Sequence, residues 1–269
     1  MSDASTPGEP LVHFETTRDS VAVVTLNRPE VHNAFNPDVI DMLSDIFEDL
    51  RVAEGVRAVL IAGAGKSFSA GADLAWMRAA ADWTPKENRA DAGDLAKMLA
   101  KLRALPQPTI ALVHGPAVAG GMGLVAACDI ALATKDAVFG LSEVRLGLIP
   151  AVISPYVIEA IGPRAARRYF LTGERFGADE AYRLGLVHAV VEDRQALSNL
   201  SEKIVSAILD GAPEAIHEAK KLIDHVVHKP IETVRDDTSR LIAERRASDE
   251  AKEGLSAFLE KRKPSWAKG

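Results

Sequence analysis

Two short loops built from glycine, alanine and serine have a composition that suits chemistry at the backbone. The first loop is residues 69–73 (SAGAD) and the second loop is residues 119–121 (AGG). Each follows an apolar segment that the sequence predicts to be a buried strand. Small side chains at a strand end leave backbone N–H groups accessible, and a helix start adds free N–H donors. One N–H from each loop could form an oxyanion hole; close packing between the loops is the alternative.

The carboxylate of Glu143 is the side chain whose surroundings best suit acid or base chemistry. It lies between apolar segments, just after a predicted strand. Burial among apolar residues raises the pKa of a carboxyl group, and a raised pKa suits proton transfer near neutral pH. The alternative is an ordinary surface glutamate that precedes a helix.

Three further patterns fail to predict a nucleotide or hydrolase site. The tripeptide at 65–67 (GKS) resembles the end of a phosphate-binding loop, but position 60, where that motif has its first glycine, is leucine. Residues 121–126 have the glycine spacing of a dinucleotide-binding turn, yet only a short helix can follow before the next strand. A Gly-x-Ser-x-Gly sequence, the nucleophile elbow of many hydrolases, does not occur in the chain.

Composition and charge limit the partners and cofactors of the protein. The 269 residues carry a formal net charge of −6, which argues against nucleic acid as the main partner. The one cysteine, Cys128, excludes an intramolecular disulfide. His225 and His228 lie on a charged predicted helix and are expected to be solvated, so we expect no metal site. Because we find no signal-peptide pattern and no apolar stretch of membrane-spanning length, we expect a cytoplasmic protein without a membrane partner.

The elements that must position the two loops and Glu143 alternate between strands and helices. Two β-rich runs, 11–16 and 21–26, flank a predicted turn at Arg18-Asp19. Further strands are predicted at 57–62, 109–114, 129–134, 137–141 and 186–191, and helices at 37–50, 86–104, 154–160, 163–171 and 179–184.

The order of these elements predicts an α/β fold in residues 1–195, which would contain the chemical groups described above. From residue 196 to residue 269 nearly all positions have helical patterns. We therefore expect a second, C-terminal helical region that contributes to oligomer contacts.

Nine short segments occur in the order and with the residues of one known family. They are LNRPE (26–30), NAF (33–35), FSAGADL (68–74), HGPA (114–117), GG (120–121), CD (128–129), EVRLGLIP (143–150), LTG (171–173) and AFLEKRKP (257–264). With these segments the chain resembles the enoyl-CoA hydratase/isomerase (crotonase) family over nearly its whole length.

This resemblance implies a crotonase-like spiral of ββα turns with a C-terminal helical region, assembled as a homotrimer or a dimer of trimers. It implies an acyl-CoA thioester as substrate and no separate cofactor, since coenzyme A is part of the substrate. The family's oxyanion N–H donors correspond to Ala72 and Gly120, and its catalytic glutamate corresponds to Glu143.

The resemblance also implies a set of substrate contacts. The adenine and pantetheine path would pass Ala70, Asp73 and Leu74, and Gly121 would permit close approach of the substrate. Further implied contacts with coenzyme A, which carries phosphates that basic side chains can bind, are Arg28, Lys66 and, from a neighbouring subunit, Phe258 and Lys261.

One position departs from the two-glutamate pattern of the family's hydratases. The second glutamate would fall at position 123, where this chain has Gly123. A single glutamate could take the proton from water as the oxygen attacks C3 and return a proton to C2. It could equally move a proton between carbons in a Δ3-to-Δ2 isomerisation. A CoA-ester-binding homologue without catalysis is the third possibility.

A second departure concerns the substrate. Residues 151–156 (AVISPY) replace a glycine-rich family segment, and with residues 72–77 (ADLAWM) and Gly123 they resemble a subgroup that acts on glutaconyl-type CoA esters. Such substrates carry a second carboxylate, and Arg145 is the candidate partner for it, with a structural ion pair as the alternative. The resemblance therefore implies an acyl-CoA hydratase for a 3-methylglutaconyl-CoA-type substrate.

Overall fold

The computed structural model describes residues 9–17 and 20–267, and all counts below refer to those residues. The nine strands are β1 (Val12–Thr16), β2 (Val21–Leu26), β3 (Ala58–Gly63), β4 (Thr109–Val113), β5 (Pro116–Val118), β6 (Ile130–Thr134), β7 (Val138–Gly140), β8 (Arg175–Gly177) and β9 (Ala189–Val191). The ten α-helices are α1 (Pro37–Val52), α2 (Leu74–Ala80), α3 (Pro85–Arg103), α4 (Gly120–Ala127), α5 (Ser154–Thr172), α6 (Ala178–Leu184), α7 (Arg194–Asp210), α8 (Pro213–Val226), α9 (Ile231–Ala247) and α10 (Asp249–Leu259).

The larger sheet contains six strands in the order β1-β2-β3-β4-β6-β9. Strands β1 and β2 form an antiparallel pair, and every later pair in this sheet is parallel. Parallel strands need crossover connections, and α1, α3 and α4 lie within the connections between them. This arrangement is the predicted α/β fold.

A second, smaller sheet joins β5, β7 and β8, with β5 and β7 parallel. Two isolated parallel bridges, Phe35 to Ala72 and Ser69 to Ala117, extend it toward the start of the chain. Each turn of the chain thus adds one long strand to the larger sheet and one short extended segment to the smaller one. The result is the expected spiral, and both small-residue loops lie at the second sheet.

The core forms where helices cover the sheets. Helix α1 begins at the predicted site, because the side chain of Asn36 accepts a hydrogen bond from the N–H of Val39 and Pro37 follows. The apolar stripes of α1 and α3 are buried, and burial of one leucine- or phenylalanine-sized side chain is typically worth about 1.5–3 kcal/mol. The most deeply buried members are Leu43, Phe47, Leu50, Met98, Leu99 and Leu102.

The predicted strands and helices of residues 11–191 are confirmed, most of them to within one or two residues. The two helices predicted at 154–160 and 163–171 form one element, α5, with a kink at Gly162, whose φ of 73° lies in the left-handed region. The short elements β5, α2 and β8 were not predicted. The predicted turn at Arg18-Asp19 lies outside the described residues.

The helical C-terminal region begins with α7, which spans the predicted boundary at residues 195 and 196. Leu197 of α7 packs against Ile110 and Leu132 of the larger sheet. Helices α8 to α10 follow, and Lys220 of α8 forms an ion pair of 2.7 Å with Asp129 beside the sheet. None of the helices in the described part of the chain combines the length and apolar composition needed to cross a bilayer.

Candidate active site

The first and second loops are in direct contact. Gly71 has a φ of 86°, and a Cβ atom there would lie 2.8 Å from Cβ of Ala119 and 3.4 Å from the backbone nitrogen of Gly120. A Cβ atom at Gly121 would lie 2.5 Å from the carbonyl oxygen of Ser69. Contacts below 3.0 Å cannot be accommodated without movement, so glycine is required at both positions. The small residues therefore serve close packing, and this packing also brings Ala72 and Gly120 close together.

The backbone around Ala72 is fixed from both sides. The N–H of Phe35 donates to the carbonyl oxygen of Gly71 at 2.6 Å, and the N–H of Asp73 donates to the carbonyl oxygen of Phe35 at 2.7 Å. Between these two bonds, the N–H of Ala72 has no acceptor among the residues that the structure describes. A fixed, unused N–H is the kind of donor that an oxyanion hole requires.

The N–H of Gly120 lies at the first position of α4 and also lacks an acceptor within the described ranges. Ala119, which precedes it, has φ 48° and ψ −121°, a conformation that is costly for a residue with a side chain. A hydrogen bond of 2.9 Å from the N–H of Ala119 to the carbonyl oxygen of Gly140 holds this conformation. The positive end of the α4 dipole adds to the attraction for a negatively charged oxygen.

Glu143 lies near the same edge of the smaller sheet. Strands β5 and β7 are parallel neighbours, so the residues that follow them lie on the same side. Gly120 follows β5, and Glu143 follows β7 in a short 3-10 turn, Glu143–Leu146. Partial burial raises the pKa of the Glu143 carboxyl, and its buried Oε2 atom has no hydrogen-bond partner among the described residues. A carboxylate with one unpaired oxygen and a raised pKa is suited to accept and return a proton.

The space beside Gly123 is occupied by Ile153. A Cβ atom at position 123 would lie 2.2 Å from Cγ2 and 2.7 Å from Cβ of Ile153. Gly123 is on α4, and Ile153 directly precedes α5 and is 3% exposed. The position that would hold a second glutamate is therefore filled by an apolar side chain from another element.

Arg28 and Asp73, both predicted to contact coenzyme A, contact each other. The guanidinium of Arg28 lies 2.9 Å from Oδ2 of Asp73 and donates at 2.7 Å to the carbonyl oxygen of Ala34. The other carboxylate oxygen of Asp73 accepts from the N–H groups of Ala75 and Trp76 at the start of α2. Burial raises the pKa of Asp73, but these hydrogen bonds lower it more, so the net pKa lies below its usual value. The pair fixes the end of the first loop next to Ala72.

The other predicted CoA contacts lie at the surface. Lys66 and Ala70 are exposed, and Leu74 at the start of α2 is 79% exposed. Phe258 at the end of α10 is 80% exposed, and Lys261 lies three residues beyond it with a φ of 55°. These side chains are thus accessible, and their assignment to coenzyme A remains a prediction.

Arg145 is exposed and packs against the turn that ends α5. Its Nε atom lies 3.1 Å from the position of a Cβ atom at Gly173, which has a φ of 60°. No acidic residue in the described part of the chain forms an ion pair with Arg145. The structural ion pair that was the alternative is absent from those residues, and the guanidinium is free to meet a carboxylate.

The sequence did not predict the role of Ile153 or of Ser69. The hydroxyl of Ser69 donates to the carbonyl oxygen of Asn33 and accepts from the N–H of Gly71, which secures the first loop. The unusual segment 151–156 was the one indication in the sequence that Ile153 has a special role. Its contact with Gly123 could not be predicted, because the two residues are thirty positions apart. Within the described residues, no three His, Cys, Asp or Glu side chains are grouped to hold a metal ion.

Comparison with known proteins gives a consistent result over almost the full chain. A family model described as enoyl-CoA hydratase/isomerase matches residues 16–269. The short-chain-enoyl-CoA hydratase of Clostridium acetobutylicum is 35% identical over 245 residues, which cover 90% of this chain and 92% of that protein. The crotonyl-CoA hydratase of Syntrophomonas wolfei is 32% identical over 250 residues, which cover 92% and 95%. A crystal structure of an enoyl-CoA hydratase from Shewanella pealeana matches with a TM-score of 0.92 and 41% identity, covering 96% of each chain.

The spiral of paired strands with a helical C-terminal region is thus the crotonase fold. The chain belongs to the enoyl-CoA hydratase/isomerase family.

Proposed function

We propose that the protein is an acyl-CoA hydratase that adds water to, or removes it from, an α,β-unsaturated CoA thioester of the 3-methylglutaconyl-CoA type. The observation that carries the proposal is Glu143, whose buried Oε2 atom has no hydrogen-bond partner among the described residues, at the same edge of the smaller sheet as two unused backbone N–H groups. Relatives named as hydratases support the reaction class.

In the proposed reaction, Glu143 takes a proton from water while the water oxygen attacks C3 of the substrate. Negative charge develops on the thioester oxygen, where the N–H groups of Ala72 and Gly120 stabilise it. One such donor is typically worth about 3 kcal/mol, because it is fixed in place before the charge appears. The proton on Glu143 then moves to C2, which restores the carboxylate and completes hydration.

A Δ3-to-Δ2 enoyl-CoA isomerase is the second candidate, and the contact of Ile153 with Gly123 favours it. Hydration needs a water molecule held in a defined orientation, and Ile153 supplies no hydrogen bond where a second carboxylate would help to hold one. Isomerisation needs one base that removes a proton at C2 and returns it at C4, and Glu143 alone meets that requirement.

We further propose a cytoplasmic homotrimer or dimer of trimers, in which Phe258 and Lys261 of a neighbouring subunit contact coenzyme A. The support is the large apolar exposure at the end of α10, where Phe258 is 80% and Leu259 is 78% exposed. No separate cofactor is part of the proposed reaction.

A panel of CoA esters tests the proposal directly. The purified protein is incubated with crotonyl-CoA, 3-methylglutaconyl-CoA and a 3-enoyl-CoA, and the products are separated by chromatography and identified by mass. A hydratase increases the mass of a 2-enoyl ester by one water; an isomerase moves the double bond at unchanged mass. Binding of these esters without turnover of any of them would identify a non-catalytic homologue and refute the proposed activity.

A further inference from the structure

A cavity of about 590 Å³ lies between α5 and α6, away from the loops and Glu143. Its lining contains four arginines: Arg164, Arg167, Arg168 and Arg183. None of them is among the residues predicted to contact coenzyme A. Such a volume is within the range of small-molecule sites.

Two of the four guanidinium groups form bidentate ion pairs with carboxylates. Arg168 donates to both carboxylate oxygens of Glu174, at 2.6 and 3.1 Å. Arg183 donates to both oxygens of Glu180, each at 2.6 Å, and the hydroxyl of Tyr169 also donates to Glu180 at 2.8 Å. The charges of Arg168 and Arg183 are therefore already compensated by carboxylates.

The other two guanidinium groups, those of Arg164 and Arg167, have no acidic partner in the described part of the chain. Four arginines line the cavity, and only two of them are paired with a carboxylate, so two positive charges at its wall are uncompensated. This excess occurs in a chain whose net charge is −6. A local excess of this sign in an acidic protein attracts a doubly charged anion rather than a neutral ligand.

The remaining walls of the cavity indicate the kind of molecule that carries the anion. Ile161, Ala165 and Leu184 form an apolar part of the lining. A phosphomonoester carries close to two negative charges at neutral pH, and its oxygens match the forked donors of arginine. We propose that this cavity binds a phosphomonoester whose organic part is apolar, with Arg164 and Arg167 as its principal contacts.

Titration calorimetry with phenyl phosphate tests the site, since this probe combines a dianionic group with an apolar ring. Hydrogen bonds between a guanidinium and a phosphate are charge-assisted and roughly twice as strong as neutral ones, so both arginines should contribute to binding. The double variant Arg164→Ala/Arg167→Ala is therefore expected to bind the probe at least about 10-fold more weakly than the wild type. The control variant Arg89→Ala/Arg235→Ala removes the same charge from exposed helix positions and is expected to bind as the wild type does.

Three outcomes would overturn the proposal. The first is no saturable binding of phenyl phosphate to the wild type at concentrations up to about 10 mM. The second is equal weakening in the Arg164/Arg167 variant and the control variant, which would assign the effect to net charge alone. The third is unchanged binding together with a changed oligomeric state, which would assign these arginines to a contact between subunits.

Discussion

Ile153 occupies the volume that a side chain at position 123 would need. Its Cγ2 atom lies 2.2 Å from the position of a Cβ atom at Gly123, less than two-thirds of an ordinary contact between carbon atoms. Two departures from the family pattern, Gly123 and the segment 151–156, are therefore parts of one structural feature. A glutamate at position 123 therefore requires Ile153 to move or to be made smaller.

This contact predicts a strong dependence of stability on both residues. Gly123→Ala should destabilise the protein by about 1–3 kcal/mol, the range found when buried sites are overpacked. In an Ile153→Ala background, which itself should cost about 2–4 kcal/mol for the lost side chain, the same change at 123 should cost little. Denaturant unfolding of the four proteins in this double-mutant cycle measures the coupling.

Gly93 in α3 provides the matched control for that cycle. A Cβ atom there would meet nothing within 4 Å. Gly93→Ala should therefore stabilise the protein by about 0.5–1 kcal/mol, the usual gain from alanine in a helix interior. Equal destabilisation by Gly123→Ala with and without Ile153 would contradict the contact.

The proposed catalytic acid and base, Glu143, can be tested by removing its charge alone. Glu143→Gln should lower kcat by about 10²–10⁴-fold, the usual contribution of a positioned proton-transfer group, and leave CoA-ester binding nearly unchanged. Glu54→Gln, at an exposed position of the connection after α1, is the control and should retain full turnover. Near-normal turnover of Glu143→Gln would rule out the assignment.

Burial of Glu143 also predicts the pH dependence of activity and stability. Burial raises the pKa of the Glu143 carboxyl above the usual 4.5. As the pH decreases through that raised pKa, the carboxylate becomes protonated, and kcat/KM should fall. Burial of the charged carboxylate lowers the free energy of unfolding. This loss of stability is absent below pH 4.5, where the carboxyl is protonated in both the folded and the unfolded protein, and it is complete above the raised pKa. Glu143→Gln should accordingly raise Tm at neutral pH and not at pH 4. An acid limb at or below pH 4.5 would contradict the prediction.

The sequence predicted the main sheet well because its strands are long apolar runs separated by turn residues. Strand β2 and the start of α1 at Asn36 were both predicted at the observed positions, since β-branched runs and helix caps are local signals. Strands β5 and β8 have three residues each, and a segment so short has no measurable period. Their existence depends on pairing with β7, which only the folded chain supplies.

The site was predictable only in part, and for a similar reason. The family resemblance implied Ala72, Gly120 and Glu143, whereas the contacts that position them join distant residues. The resemblance implied Arg28 as a contact of coenzyme A, but its hydrogen bond to Asp73 joins residues 45 positions apart. No local sequence pattern can show that two polar side chains from distant positions form a hydrogen bond with each other.

The ion pair of Arg28 with Asp73 predicts an effect on turnover more than on binding. Loss of the pair should let the Ala72 N–H shift, and a displacement of about 1 Å at such a group can cost about 10²-fold in rate. Arg28→Ala should therefore reduce kcat by about 10- to 100-fold with a smaller change in KM, and Arg28→Lys should recover part of the loss. A rise in KM at constant kcat would instead support a direct contact of Arg28 with coenzyme A.

Arg145 tests the substrate assignment separately from the reaction type. If its exposed guanidinium binds the second carboxylate of a glutaconyl-type ester, Arg145→Ala removes a charge-assisted hydrogen bond worth about 1.5–3 kcal/mol. KM for 3-methylglutaconyl-CoA should then rise by about 10- to 100-fold, while KM for crotonyl-CoA, which lacks that carboxylate, should stay the same. Steady-state kinetics with both esters on the same protein preparation make the comparison. Equal changes in KM for the two esters would mean that Arg145 supports the turn at Gly173 and does not bind the second carboxylate of the substrate.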